Sequence, residues 1–182
     1  MIGTSHPRTE DHRLLTGRGR FTDDLGPTAY SCAVVRSPHA AAEIDVVDCD
    51  RARAHPGVVA AVSYQDLPPS MRRRLPLLIP HHDLTHPRTG HVLAHREVRY
   101  AGEPVALVVA RDRYAAQDAQ ELVRVRYRPR PAVVGLGAAD RADHLVHPDI
   151  PGNTAARHAQ HTGDVPAAMA GCAPPAPPAA GS

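Results

Sequence analysis

Between Pro104 and Arg128 the hydrophobic pattern changes period twice, which restricts the chain to folds that alternate strand and helix over short distances. Pro104 to Ala110, PVALVVA, is an unbroken apolar run rich in β-branched valine, the pattern of a strand covered on both faces. Asp112 offers an N-cap oxygen, and Arg113 to Leu122 are good helix formers in which Ala115, Ala119 and Leu122 share one narrow apolar stripe. From Val123 the period becomes two, with Val123, Val125 and Tyr127 on one face and Arg124, Arg126 and Arg128 on the other. Pro129 and Pro131 withhold backbone donors and end the ladder. A compact strand–helix–strand unit is predicted, and its row of arginines must meet water, acids or a partner.

Upstream, Ala29–Arg36, Glu43–Val47 and Val58–Ser63 read as strands. Asp48 or Asp50 can cap a short helix ending before Pro56-Gly57, and Tyr64 to Leu67 fits one helical turn. Residues 1–19 read as a polar, extended arm. Residues 68–91 carry five prolines, which forbid a long helix or central strand, and an irregular segment of that length is usually functional or mobile. Val92–Ala94 and Val98–Tyr100 lead into the central unit, and Ala132 to Val134 is expected to close its last strand. The expected domain of interest is 20–134, followed by a linker over 135–162. Of the last twenty residues, 163–182, sixteen are Ala, Gly, Pro or Ser, so a disordered tail is expected there.

The core material is thin. The hydrophobic share is 42%, yet 30 of the 182 residues are Ala, there is one Phe and no Trp. A marginal domain, or one that borrows surface from a partner, is expected. A net charge of +2 argues against a dedicated nucleic-acid binder. All 21 basic residues are Arg; a compositional bias of the coding DNA is the plain reading, and interface contacts to carboxylates the sharper one. Cys32, Cys49 and Cys172 have no CxxC spacing, so no zinc or iron–sulfur site is read from them. The N-terminus lacks the apolar stretch of a signal peptide, and no run approaches the roughly 18 apolar residues of a membrane span. A soluble cytoplasmic protein is the expectation, with no membrane or nucleic-acid partner.

Several residues invite a chemical reading and mostly fall back to a structural one. Gly17-Arg18-Gly19 lacks the GxxxxGK[ST] pattern of a phosphate loop and reads as a turn. Ser37 and His39 are close in sequence, but nothing nearby supplies an orienting third group or an oxyanion donor. Glu103, in the turn Ala101 to Pro104, is a turn or salt-bridge residue before it is a general base. His82/His86 and His91/His95 have the spacing that shares a metal on a helix, but Pro87 and Gly90 interrupt, and Asp83 is the only nearby acid. A solvated His-rich loop is expected, with no metal, catalytic or cofactor residue. What remains is a possible interface: Arg124, Arg126 and Arg128 on the strand, and Arg72, Arg73 and Arg74 in the loop.

Taken together, GRGRFTDD (17–24), VVRSPHAAAEI (34–44), PGVVAAVSYQDL (56–67), VRYAGEPVALVVARDRYAAQDAQELVRVRY (98–127) and PAVV (131–134) resemble, in order and spacing, the start of the molybdopterin-binding large subunit of the molybdenum hydroxylases. That family includes xanthine dehydrogenase, aldehyde oxidase and aerobic carbon monoxide dehydrogenase. RSPHA and GEPVA are its most specific parts. The resemblance implies an α+β fold, the α/β hammerhead, with a mixed sheet and a few short helices. It implies molybdopterin for the full-length enzyme, with the other large-subunit domains and the iron–sulfur and flavin subunits as partners. The family's cofactor-holding residues and its essential glutamate lie in later domains, so none is carried onto a position here. There are departures: Ala41 and Ala42 follow RSPHA where the family often repeats His, and Gly135 replaces a common acid. The expectation is a truncated or split hammerhead domain, inactive alone; the alternative is a stand-alone module that docks an acidic partner through its arginines.

Overall fold

The structure is a computed structural model and describes residues 3, 5–24 and 30–171. The chain forms two compact units, residues 1–75 with 89–134 and residues 76–88 with 135–182. In order, the elements are α1 (Asp11–Leu15), β1 (Ser31–Arg36), β2 (Ala42–Asp48), α2 (Asp50–Arg53), β3 (Val58–Ser63), β4 (Glu97–Val98), β5 (Pro104–Ala110), α3 (Arg113–Leu122), β6 (Arg124–Pro129), α4 (Leu136–Arg141) and α5 (Val165–Ala170).

The first unit holds two three-stranded sheets, ordered β1-β5-β3 and β4-β2-β6. Every pair is antiparallel, where a single mixed sheet was expected. β5 is the central strand of the first sheet, and Val105, Ala106, Val108 and Ala110 are all fully buried, as its apolar run predicts. Asp112 caps α3 by accepting from the Ala115 N–H at 2.9 Å. The buried residues of α3 are Ala116 and Ala119. Small side chains bring α2 and α3 against the sheet, with Cys49, Ala52, Ala61, Ala106, Val108 and Ala119 forming one cluster. Gly57 makes the tight entry to β3: its φ is +86°, and a Cβ there would lie 3.2 Å from the Ala115 methyl.

β6 does not join the sheet of β5. It pairs with β2, and Val125 and Tyr127 pack with Ile44 and Val47 over Ala42, Ala94, Val98 and Val105. The strand–helix–strand unit therefore connects two sheets rather than completing one. The ladder ends at Pro129, and Arg130 N–H makes a last bond to Ala41 O at 2.9 Å. Pro131 has no N–H to continue it, so Ala132–Val134 is irregular, not the closing strand expected, and Val134 is exposed. The arm contains a short helix, α1, where only extended chain was expected.

In the second unit, the Asn153 side chain takes the Val146 N–H at 2.8 Å and donates to Ala139 O and His144 O. Arg88 is ion-paired with Asp149. Ile150 is buried. Residues 163–171 of the expected tail include α5, capped by Asp164 at the Ala167 N–H (3.0 Å) and fully exposed; residues 172–182 lie outside the described residues, as does Cys172. Among the described residues no helix is long and apolar enough to cross a membrane.

Candidate functional site

The arginine face is set by strand register. Opposite Arg128 and Arg124 on β6 stand Glu43 and Asp48 on β2. A bulge between Ile44 and Val46 inserts Asp45, whose carboxylate then meets two arginines. Arg128 donates to Asp45 at 2.7 Å and lies 3.2 Å from Glu43; Arg126 lies 3.7 Å from Asp45. Arg130 extends the row, 3.3 Å from Glu97 and 3.8 Å from Glu43. The Asp45 hydrogen bond, followed by the charges of Asp45 and Glu43, pushes the Arg128 guanidinium above its usual range. The row is thus a charged lattice with both signs, and the side chains of Arg126 and Arg128 are two-thirds or more exposed.

The loop arginines are used differently. Arg72 turns back onto the carbonyls of Gln65 and Leu67, and its own carbonyl takes the Tyr64 hydroxyl at 2.9 Å. Arg74 donates to Thr89 O, and Leu75 N–H to Gly90 O at 2.9 Å, which ties the start of the loop to its return. Arg73 is exposed. The arginines of β6 and those of the loop thus have different partners. Arg72 and Arg74 chiefly hold backbone.

A cleft of about 360 Å³ lies beside β2, lined in part by Asp45, Ser63, Tyr64, His95 and Arg96. His95 stacks on Tyr64 at 4.0 Å between ring centres, with His91 edge-on to both. Burial, followed by the charges of Arg96, His91 and Arg74, holds the His95 imidazole below its usual range, which favours the neutral ring.

The remaining candidates resolve into structure. Gly17 N–H and Arg18 N–H bond to Leu14 O and Arg13 O and close α1, so the GRG segment ends a helix. Ser37 Oγ accepts the His39 N–H at 3.0 Å and donates to His39 O, a local turn. Glu103 accepts the Arg99 N–H at 2.6 Å across the Gly102 turn. Burial raises the Tyr127 phenol, against a smaller opposing effect of the Ser37 hydroxyl. Cys32 is exposed and Cys49 buried.

The histidines group in a way their spacing did not suggest. The segment holding His82 and His86 is not helical. Instead His81, Asp83 and His158 converge, with candidate ligand atoms all within 4.8 Å of one another. Nothing local in the sequence points to His158, which lies 75 residues from Asp83.

The comparisons with known proteins reach residues of both units. Residues 16–131 match the family described as aldehyde oxidase and xanthine dehydrogenase, a/b hammerhead domain. The chain belongs to that family. This hammerhead chain is 39% identical to the carbon monoxide dehydrogenase large chain of Afipia carboxidovorans, over 73% of its own length and 16% of the relative's. It is 36% identical to the 6-hydroxypseudooxynicotine dehydrogenase complex subunit gamma of Paenarthrobacter nicotinovorans, over 93% of its length and 22% of that protein's. Among solved structures it resembles quinoline 2-oxidoreductase from Pseudomonas putida 86, with TM-score 0.67 and 36% identity over 82% of this chain and 19% of that one. Aldehyde oxidoreductase from Desulfovibrio gigas gives TM-score 0.68 and 27% identity over 82% of this chain and 17% of that one. The hammerhead chain therefore spans about a fifth or less of the length of these relatives. It is the hammerhead domain of a molybdenum hydroxylase-type large subunit.

Proposed function

We propose that this hammerhead domain serves as a structural part of a molybdopterin-dependent oxidoreductase, of the xanthine dehydrogenase, aldehyde oxidase or carbon monoxide dehydrogenase kind, and supplies no catalytic residue itself. The observation that carries the reading is the family match over residues 16–131, in a chain that spans only 16–22% of its relatives. The whole enzyme would hydroxylate a carbon or oxidise carbon monoxide, taking oxygen from water. Its partners would be the remaining large-subunit domains and iron–sulfur and flavin subunits, in the cytoplasm. Extent 20–134 for the domain, with 135–162 as its connection onward, belongs to the same proposal.

The residues here do not fit the pterin cofactor. An anionic pterin phosphate needs free N–H donors, as helix N-termini and glycine-rich loops provide. In the cleft beside β2 the N–H groups of Ile44, Ser63 and Ala94 are already spent on Arg96 O, the Asp66 carboxylate and Pro104 O. Asp45 also lines it. No step of the redox chemistry is assigned to this chain.

The test is to purify the chain and measure its molybdenum content and its dye-linked oxidation of purines, aldehydes and carbon monoxide. No bound molybdenum and no turnover are expected. Stoichiometric molybdenum with turnover overturns the proposal.

A second reading, a module that docks an acidic partner through Arg124, Arg126, Arg128 and the loop around Arg72, Arg73 and Arg74, is favoured by the exposure of the Arg126 and Arg128 side chains on β6. It requires a partner captured at low salt and released near ~1 M salt, where the screening length falls to about 3 Å. Capture that ignores salt, or no capture, ends it.

A further inference from the structure

We propose that His81, Asp83 and His158 bind one divalent transition-metal ion of the zinc type. All three residues belong to the second unit, and none of them is among the arginine-face or cleft residues described above.

Two imidazoles and one carboxylate are a donor set suited to zinc, nickel or cobalt, and too nitrogen-rich for calcium or magnesium. Asp83 is the centre, with its side chain only 23% exposed. Its Oδ2 lies 2.6 Å from His158 Nδ1 and 3.6 Å from His81 Nδ1. Its Oδ1 lies 3.1 Å from His82 Nε2. His81 Nδ1 accepts the backbone N–H of Asp83 at 3.2 Å, a long contact that it would exchange for a bond to the ion.

The backbone holds these residues together. Leu84 and Ala156 form an antiparallel bridge, and the N–H groups of Thr85 and His86 both reach Ala155 O, at 3.0 and 3.1 Å. The Thr85 hydroxyl is directed at the same carbonyl at 3.1 Å. His158 is thereby placed opposite Asp83. Ligands around a tetrahedral zinc stand roughly 3.3 Å apart, as bond lengths of about 2.0–2.1 Å require. The 2.6 Å contact is a hydrogen bond that must give up its proton and open on metal binding, whereas the 3.6 Å contact needs only a small closure. With three protein ligands a fourth position is left for water, and His82 stands at the other carboxylate oxygen to orient it. The ion would cross-link segments 75 residues apart, and so stabilise the second unit by closing a long loop.

Zinc binding to the full chain is measured by calorimetry, with cobalt as the spectroscopic probe. One zinc per chain is expected, unaffected by millimolar magnesium or calcium, with a cobalt absorption of four-coordinate intensity. His81→Ala, His158→Ala and Asp83→Asn should each weaken binding tenfold or more, while His91→Ala and His12→Ala leave it unchanged. The three site residues are at least partly exposed, so circular dichroism of the variants should match wild type. No binding tighter than millimolar overturns the proposal and leaves only the hydrogen-bonded contacts of Asp83 with the histidines. Full affinity in the double variant His81→Ala/His158→Ala overturns it equally, by placing the metal elsewhere.

Discussion

Asp66 is a small residue to remove with a large expected effect. It follows β3 in the 3₁₀ turn Tyr64–Asp66, and its Oδ2 accepts the Ser63 N–H and the Ser63 hydroxyl, each at 2.8 Å. The same oxygen is 2.9 Å from the Arg53 guanidinium. Truncation to Ala removes the acceptor side of the capping box and leaves the N–H of buried Ser63 without a partner, at about 1–3 kcal/mol. Arg53 keeps Asp50 and Ala61 O, so its half-exposed pair with Asp66 adds little. Asp66→Ala should therefore cost about 1–3 kcal/mol, a fall of about 2–12 °C in melting temperature for a chain of this size. Burial opposes ionisation of Asp66, but the two Ser63 hydrogen bonds and Arg53 outweigh it and hold the carboxyl below its ordinary 3.8. A depressed carboxyl contributes stability above its unfolded pKa and loses it as pH falls through the folded one. The gap between wild type and Asp66→Ala should thus be full at pH 7 and narrow below about pH 3.8. Urea melts followed by circular dichroism at pH 7 and pH 3 decide it. A deficit under about 0.5 kcal/mol at pH 7, or one of equal size at both pH values, refutes the reasoning.

Val108, on the central strand, is fully buried against the alanines of α2, α3 and β3. Val108→Ala should cost about 2–3 kcal/mol in the same melts, from two lost methyl groups and the cavity they leave. Cys49 and Cys32 should separate in thiol labelling at pH 8: burial, opposed by Arg53 and reinforced by the acids around it, raises the Cys49 thiol, while Cys32 is exposed. Mass spectrometry after brief alkylation should find Cys32 modified and Cys49 spared; equal labelling means the core opens freely.

The parts of this fold legible in the sequence are those where one local period governs. β3, β5 and α3 have the bounds their patterns imply, and the Asp112 cap is where the helix formers begin. Strand partners were not legible. β5 and β6 follow one another through α3, yet register places them in different sheets, because β6 matches the apolar face and the acids of β2. The row at Arg124, Arg126 and Arg128 reads correctly as one face, but its acids come from a strand some eighty residues earlier, and Asp45 reaches it only through a bulge. α5 did carry a local signal, Asp164 two residues before Pro166, hidden by the composition around it. The triad at Asp83 carried none, because His158 arrives through backbone bonds between distant segments.

The distribution of apolar side chains argues for the structural-domain reading over a free-standing module. The core of the first unit is mostly alanine and valine, and the largest fully buried side chains are Val98, Val105, Val108 and Cys49. Each buried alanine removes little surface from water, and stabilisation scales with that area. Leu67, Leu93 and Ile150 are buried too, but Leu15 in the first unit and Leu78, Ile79 and Leu136 in the second are all more than 80% exposed. Single exposed leucines are ordinary, but a chain that buries mostly small residues and exposes several of its large ones gives up some of the area that stabilises a domain alone. A domain that folds within a subunit five times its length can recover that area from its neighbours. The isolated chain should accordingly melt low. A cooperative thermal transition above ~65 °C, the upper end for ordinary mesophilic domains, would mean that the alanine core suffices and that the domain has no need of a larger subunit.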